Sequence, residues 1–262
     1  FMNGECNLTD LSKLDGFHES SIRYQFKKRG VSGLDCPKYN KMYHLNDNYF
    51  NTINSEDKAY FLGLLYADGH NMSHKKNLEI RLQEDDRHIL EKFKECLGST
   101  RPIGFFRKKK GSHQNQFGLC VNSETICNDL IRLGCPNRKS LILKFPNEQQ
   151  VPNNLLKDFI RGMFDGDGSI STTVPKNKKS KVISSSLCST KEMCESLSSY
   201  LYSNVGVTSG VYRDKRCINS CNLNITGSVN CMKFLDWLYL ESNLYLNRKY
   251  FKYLEFKTER GK

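Results

Sequence analysis

Two aspartates, Asp68 and Asp167, occupy the same place in two similar nine-residue segments of this chain. The segments read FLGLLYADG over 61–69 and IRGMFDGDG over 160–168, and their first residues are 99 positions apart. Each apolar run predicts a helix that ends in a small residue, an aspartate and a glycine. A carboxylate at this negative end of a helix dipole is unfavourable by up to about 1 kcal/mol, and neighbouring carboxylates repel each other further. The pattern therefore indicates a bound cation, and Mg²⁺ fits because it takes few carboxylates and keeps sites for water and phosphate.

Small residues recur at a fixed distance before the two aspartates. Gly63 and Ala67 are four residues apart, as are Gly162 and Gly166, so each pair lies on one face of its helix. Small residues on one face let two helix backbones approach closely. We therefore expect the two helices to pair about a pseudo-two-fold axis, which would place the two aspartates side by side.

The residues that flank each segment predict the ends of its helix. Gly69 and Gly168 suit the left-handed conformation in which many helices end. One Asp-Gly pair after a helix is often only a turn, but two copies with the same small-residue spacing favour a functional site. Polar residues that can cap the helices stand just before them: Asn54, Ser55, Asn153 and Asn154.

The order of predicted elements also repeats. Each half reads, in outline, as helix, two strands, helix, two strands, helix, which makes the fold class α+β. In the first half the clearest strands are 78–82 and 116–121, and the clearest helices are 89–97 and 124–133. In the second half they are strands 182–188, 211–214 and 221–226, and helices 192–202 and 229–240.

The first 54 residues lie outside this repeat. Predicted helices over 8–14 and 19–28, joined by a glycine-containing turn, favour a helix-turn-helix-like DNA-binding segment over 1–32, with Arg23 on its second helix. A linker over 33–54 then leads into repeat 1 (55–150) and repeat 2 (151–262).

Charge and cysteine usage limit the functional class. Forty Lys and Arg against 28 Asp and Glu give a net charge of +12, which favours a polyanionic partner, most often nucleic acid. The eleven cysteines are scattered without a Cys-x-x-Cys pair, so we interpret them as reduced packing residues in an intracellular protein. No apolar run is long enough for a membrane span, and no signal peptide is evident.

The two segments resemble the motif of the LAGLIDADG family of homing endonucleases. The second copy matches closely, whereas the first has Tyr66 in place of the first acid. The resemblance implies two pseudo-symmetric αββαββα repeats with saddle-shaped antiparallel sheets along the DNA major groove. It implies a monomeric, metal-dependent endonuclease that cuts a long target site in double-stranded DNA and leaves short 3′ overhangs. Mg²⁺ would be the cofactor, with Mn²⁺ or Ca²⁺ as substitutes in binding.

The resemblance also implies roles for particular residues. Asp68 and Asp167 would bind the catalytic metals, with further metal contacts at Ala67 and Gly166. Family members carry a basic residue beside each active site. Lys139 and Lys249, in the similar sequences Asn-Arg-Lys-Ser and Asn-Arg-Lys-Tyr, are the matches here and would be catalytic residues that stabilise developing charge on the phosphate. A polar residue in each half orders water, for which we predict Glu84 and Thr190.

Contacts with DNA are expected from basic residues on the strands, in their turns and in the amino-terminal segment. Strands and their turns supply Lys75, Lys76, Arg81, Arg107, Lys108, Lys109, Lys110, Lys176, Lys178, Lys179, Lys181, Arg213, Lys215 and Arg216.

Three alternatives use the same scaffold. An RNA-binding intron maturase would keep the aspartates. A catalytically inactive DNA-binding regulator would gain nothing from two repelling carboxylates, so the retention of both aspartates argues against it. The third alternative, an intein endonuclease domain, would be an excised piece, because the chain lacks the terminal residues of a self-splicing element.

Overall fold

A computed structural model of the protein describes residues 43–107, 114–176, 181–214, 217 and 219–260, together with six residues between 18 and 29. The chain forms two compact units, 1–44 and 45–262. Arg23 and the predicted helix over 8–14 lie outside the described residues, so the helix-turn-helix stays a prediction.

The larger unit contains the predicted repeat twice. Repeat 1 runs through α1 (Glu56–Asp68), β1 (Gly69–Met72), β2 (Asn77–Gln83), α2 (Arg87–Cys96), β3 (Gly104–Phe106), β4 (Gln116–Asn122) and α3 (Glu124–Arg132). Repeat 2 runs through α4 (Leu156–Asp167), β5 (Gly168–Thr173), β6 (Val182–Thr190), α5 (Lys191–Tyr200), β7 (Gly210–Arg213), β8 (Ser220–Ile225) and α6 (Ser228–Tyr239). A further helix, α7 (Asn247–Arg260), follows repeat 2. The predicted αββαββα order is thus confirmed, and the fold class is α+β.

Each repeat forms one four-stranded antiparallel sheet. The strand orders are β1-β2-β4-β3 and β5-β6-β8-β7. Along β2 the burial alternates, with Leu78, Ile80 and Leu82 in the core and the residues between them more exposed. Each sheet therefore has one face in the core and one outer face of polar side chains.

The paired helices α1 and α4 form the centre of the core, as the small residues predict. A Cβ at Gly63 would overlap the Phe159 carbonyl oxygen, and a Cβ at Gly162 would overlap the Tyr60 carbonyl oxygen. The two backbones therefore touch where each helix has glycine, and this contact excludes every larger residue.

The ends of these two helices differ in part from prediction. Ser55 caps α1, since its hydroxyl accepts from the Lys58 amide. Neither Asn153 nor Asn154 caps α4, because both lie in a short 3-10 turn that precedes the helix.

The prediction of left-handed glycines after the helices was wrong. Gly69 (φ −73°) and Gly168 (φ −83°) are extended and are the first residues of β1 and β5. A Cβ at Gly69 would lie 2.6 Å from the Leu65 carbonyl oxygen, so glycine is needed here for space, because the strand leaves directly from the helix.

Part of the predicted linker belongs to the core. Phe50 is fully buried, and Tyr49 and Ile53 are nearly so. Residues 45–54 therefore pack against repeat 1, because three large apolar side chains would otherwise face water. None of the described helices is long and apolar enough to cross a membrane, and the described cysteines are all free.

Candidate active site

The pairing of α1 with α4 brings the two motif aspartates to adjoining helix ends. A Cβ at Gly166 would overlap the Ala67 side chain and would lie 3.1 Å from Oδ2 of Asp68. The small residues before each aspartate thus let the carboxylates approach each other. Both Asp68 and Asp167 are exposed to solvent.

The electrostatics of the two carboxylates are unfavourable without a cation. Partial desolvation by the packed helix ends, together with the charge of Asp68, raises the pKa of Asp167 to about 6. Desolvation also raises the pKa of Asp68, although Lys249, Lys139 and Arg248 oppose the shift. Each carboxylate would therefore gain from a cation that screens the other.

A buried lysine lies behind each aspartate. Nζ of Lys139 donates to the carbonyl oxygens of Gly69 at 2.5 Å and Ala67 at 3.3 Å. Lys249 lies correspondingly at the end of α4. Its Nζ donates to the carbonyls of Phe164 and Asp165, both at 2.6 Å, and more weakly to Gly166 at 3.5 Å. Each ammonium group thus compensates the negative end of one motif helix.

Lys249 is less basic than an ordinary lysine. Burial lowers its pKa to about 8, although the neighbouring carboxylates of Asp165, Asp68 and Asp167 oppose the shift. Its charge is therefore sensitive to the acids around it.

The first acid of the second motif, Asp165, is an internal anchor. Its carboxylate is fully buried and accepts from the hydroxyls of Tyr60 and Tyr239 and from the amide of Leu246. In the first motif Tyr66 fills this position, and its hydroxyl donates to the Leu133 carbonyl. The departure from the motif thus replaces one buried polar contact with another.

The strand register corrects the pairing of the predicted water-ordering residues. Gly69 pairs with Ile80 and Gly168 pairs with Leu187. Three residues further along lie Gln83 and Thr190, so the counterpart of Thr190 is Gln83 and not Glu84.

The two predicted water-ordering residues, Thr190 and Glu84, also make different hydrogen bonds. Thr190 is buried, donates to the Leu143 carbonyl and accepts from the Met193 amide, which makes it the cap of α5. Glu84 lies exposed in a 3-10 turn and accepts from Asn115.

One ion pair next to the site crosses between the repeats. Nε of Arg248, at the start of α7, lies 3.0 Å from Oδ2 of the buried Asp86. The same oxygen accepts from Gln83 at 3.0 Å. The counterpart of Arg248 in repeat 1 is Arg138, which is exposed. Asp86 and Arg248 were missed by the sequence analysis, although Arg248 precedes Lys249 as Arg138 precedes Lys139.

The predicted DNA contacts that are described lie mostly on exposed strands and turns. Lys75 and Lys76 are exposed in the turn between β1 and β2. Arg81 projects from the outer face of β2, where it pairs with Glu79 at 2.6 Å and stacks over the Phe106 ring at 4.1 Å. Exposed positions also hold Arg107, Lys176 and Lys181.

Arg213 departs from the predicted placement. It pairs in register with the core residue Cys221, so Tyr212 is the residue of β7 that shares the outer face. The remaining predicted contacts lie outside the described residues: Lys108, Lys109, Lys110, Lys178, Lys179, Lys215 and Arg216.

Comparisons with known proteins show which domain and which fold the chain resembles. Residues 154–238 match the family model described as a LAGLIDADG-like domain. No curated protein sequence matches the chain.

Solved structures share the fold over most of the chain. I-SmaMI bound to uncleaved DNA target in the presence of calcium ions has a TM-score of 0.51 and 13% identity, and the match covers 79% of this chain and 90% of that one. A lysine-to-alanine mutant of I-SmaMI has the same TM-score and identity, and the match covers 79% of this chain and 89% of that one. The I-LtrWI LAGLIDADG homing endonuclease bound to target DNA has a TM-score of 0.50 and 14% identity over 82% and 90%. Residues 154–238 are thus similar to a LAGLIDADG-like domain, and the chain has the two-repeat fold of LAGLIDADG homing endonucleases.

Proposed function

We propose that the chain is a monomeric, site-specific endonuclease that hydrolyses both strands of duplex DNA and leaves short 3′ overhangs. The observation that carries this proposal is the pair of aspartates at adjoining helix ends, each backed by a buried lysine. Two partly desolvated carboxylates at the negative ends of two helices are costly to keep unless they bind a cation.

The donor chemistry at the helix ends fits Mg²⁺, with Mn²⁺ or Ca²⁺ as substitutes in binding. Asp68 and Asp167 would hold the metal, and the carbonyls of Ala67 and Gly166, which receive only the longest bond of each lysine, are further donors. No cluster of three or more metal-ligating side chains occurs in the part of the chain that the structure describes, so water and DNA phosphate would complete the coordination. A bound divalent cation would stabilise charge on the phosphate and lower the pKa of the attacking water.

We assign Lys139 and Lys249 a positioning role. Their ammonium groups are buried and donate to carbonyls of the motif helices, so they fix the helix ends that carry the aspartates. Their positive charges also add to the potential that attracts a phosphate. In hydrolysis a water oxygen bonds to phosphorus and the bond to one deoxyribose oxygen breaks. The water proton passes to solvent, and the released deoxyribose oxygen takes up a proton from solvent.

The outer faces of the two sheets are the proposed DNA surface. They carry polar side chains, they are not part of the core, and the chain has a net charge of +12. The major groove of B-DNA accepts a β-ribbon, so strands of each sheet can reach base edges there. The same fold in I-SmaMI and I-LtrWI was determined bound to DNA, which supports this assignment.

The test is cleavage of a diverse duplex DNA library with Mg²⁺, followed by sequencing of the new ends. Wild-type protein should cut recurrently at one long sequence with short 3′ overhangs. Asp68→Asn and Asp167→Asn should each abolish double-strand cleavage while DNA binding in Ca²⁺ is retained. A fully active Asp167→Asn protein would overturn the mechanism, and binding without cleavage by the wild type would favour an RNA-binding maturase or an inactive regulator.

A further inference from the structure

The outer faces of the two sheets differ in chemistry. On the sheet of repeat 1, the outer positions of β1 and β2 include His70, Glu79 and Arg81. On the sheet of repeat 2, every described outer position is uncharged. These positions are Ser169, Ser171, Thr173, Val182, Ser184, Ser186, Cys188, Gly210, Tyr212, Ser220, Asn222 and Asn224.

The amides on the two outer faces also differ in their bonding. In repeat 1 Nδ2 of Asn77 donates to Oδ1 of Asn122 at 2.6 Å, and Gln83 donates to Asp86. Both amides therefore donate to another side chain of the protein, although Oδ1 of Asn77 has no partner among the described residues. In repeat 2 Asn222 and Asn224 make no side-chain hydrogen bond to any described residue, although both are half-buried.

The cross-strand neighbours of these two asparagines are small apart from Tyr212, whose ring lies over Gly210. Asn224 lies between Ser186 on β6 and Gly210 on β7, and Asn222 lies between Cys188 and Tyr212. Both belong to the inner strand β8, so their amides project from the middle of the sheet and not from its edge.

We propose that the second repeat reads an adenine-containing half-site through Asn222 and Asn224. This inference rests on the proposed function. In the major groove an asparagine amide pairs with adenine through two hydrogen bonds. Its nitrogen donates to N7 of the base, and its oxygen accepts from the N6 amino group. Guanine is most often read by Arg or Lys, and the described outer face of this sheet has neither. Serine hydroxyls bond to any base and therefore add contact without strong preference.

The spacing of the two asparagines predicts the spacing of the two adenines. Residues two apart on a strand are separated by about 6.8 Å along it. Successive bases on one strand of B-DNA rise about 3.4 Å, so the two amides span about two base-pair steps. The half-site should therefore hold two A·T pairs separated by one base pair that is less constrained.

The experiment begins with the target that wild-type protein selects from the duplex library. Each base pair of this target is then changed in turn, and cleavage is compared for wild type, Asn222→Ala and Asn224→Ala. Asn204→Ala is the matched control, because this exposed amide lies in the turn after α5, where it bonds to the Tyr200 carbonyl. Thermal melts of all four proteins show whether the substitutions disturb the fold.

In the wild type, replacement of either adenine should reduce cleavage roughly 5- to 150-fold. Each asparagine variant should lose this discrimination at one of the two positions and keep it at the other, whereas Asn204→Ala should keep both. Guanine at these positions, or unchanged discrimination in both variants, overturns the inference and leaves the proposed endonuclease intact. Absence of both DNA cleavage and DNA binding by the wild type overturns the proposed function, and the inference with it.

Discussion

At the scale of single residues, the positions of Asp68 and Asp167 are costly for the stability of the metal-free protein, and the proposed cation site would account for this cost. Each is a carboxylate at the negative end of a helix dipole, and each is partly desolvated by the pairing of α1 with α4. Such cost is usual where function requires a strained electrostatic arrangement. Removal of one charge should therefore stabilise the metal-free protein.

This cost should depend on pH. The folded-state pKa of Asp167, about 6, lies above its ordinary value of 3.8. Its ionised form is thus disfavoured by folding, so the cost is present above pH 6 and disappears as the pH falls toward 4. In EDTA, Asp167→Asn should raise Tm at pH 7.5 by about 2–4 °C, if solvent screening leaves about 1 kcal/mol of the cost.

At pH 4.5, Asp167→Asn should have nearly the same Tm as the wild type. Asp167 is then largely neutral in the folded chain, and the cost of its charge has mostly gone. Asp85→Asn, at an exposed position in a 3-10 turn, is the control and should leave Tm unchanged at both pH values. An equal gain in Tm at both pH values would show that charge is not the cause.

At the scale of elements, the contact between α1 and α4 sets the distance between the two aspartates. Gly162 meets the Tyr60 carbonyl directly, so a methyl group there would have to push two backbones apart. Backbone overlap cannot be relieved by a change of side-chain rotamer, and overpacking costs about 1–3 kcal/mol even where side chains can move.

We expect Gly162→Ala to lower the free energy of unfolding by about 3 kcal/mol or more. Urea unfolding followed by circular dichroism measures this change. Gly104→Ala is the control, because a Cβ there would make only ordinary contacts, with the Phe106 ring at 3.4 Å and the Gly118 carbonyl oxygen at 3.9 Å. If both variants unfold at the same urea concentration, the close helix contact is absent.

The start of α7 joins the two repeats through the ion pair of Arg248 with buried Asp86. Arg248→Met would leave this carboxylate with Gln83 as its donor, which should cost about 1–3 kcal/mol in urea unfolding. Arg138→Met, at the equivalent exposed position of repeat 1, should change stability by less than about 0.5 kcal/mol. Equal effects of the two substitutions would mean that the cross-repeat pair does not stabilise the fold.

Elements whose pattern occurs in both halves of the sequence were predictable. Elements that are defined by contacts with another part of the chain were not. The motif helices and the long strands follow from apolar spacing and small residues. The start of β1 at Gly69 was missed because glycine also suits a left-handed helix end. Only the lack of space for a Cβ atom beside Leu65 shows why an extended residue here must be glycine. Helix α7 was missed because its many charged residues hide the spacing of the buried Tyr253 and Phe256.

The candidate site was predictable where identical residue types recur. Asp68 and Asp167 share a motif, and Lys139 and Lys249 share Asn-Arg-Lys, so each pair could be found by comparing the halves. Gln83 has no such signal, since its counterpart Thr190 differs in type and only strand register relates them.

At the scale of the whole molecule, several contacts fix one repeat against the other. Tyr60 of repeat 1 donates to Asp165 of repeat 2, and the ring of His88 lies 3.3 Å from the Tyr245 carbonyl. Both halves of the proposed site thus belong to one folding unit, which favours a monomer that binds an asymmetric target. The sheet of repeat 1, with its charged outer positions, and the neutral sheet of repeat 2 would then contribute unequally to DNA affinity.

The net charge of +12 gives a final prediction about DNA affinity as a function of salt. Each phosphate neutralised by Lys or Arg releases condensed counterions, so affinity falls steeply with ionic strength. If about six phosphates are contacted, Kd in Ca²⁺ should rise about 10³-fold between 50 and 200 mM salt. Asn222→Ala should weaken binding without a change in this slope, because an amide that reads a base releases no counterion, whereas Lys75→Ala should make the slope shallower by about one unit. Fluorescence anisotropy with a duplex of the selected target measures both slopes. A response that is flat in salt would place the DNA contacts on uncharged groups and would contradict a basic DNA-binding surface.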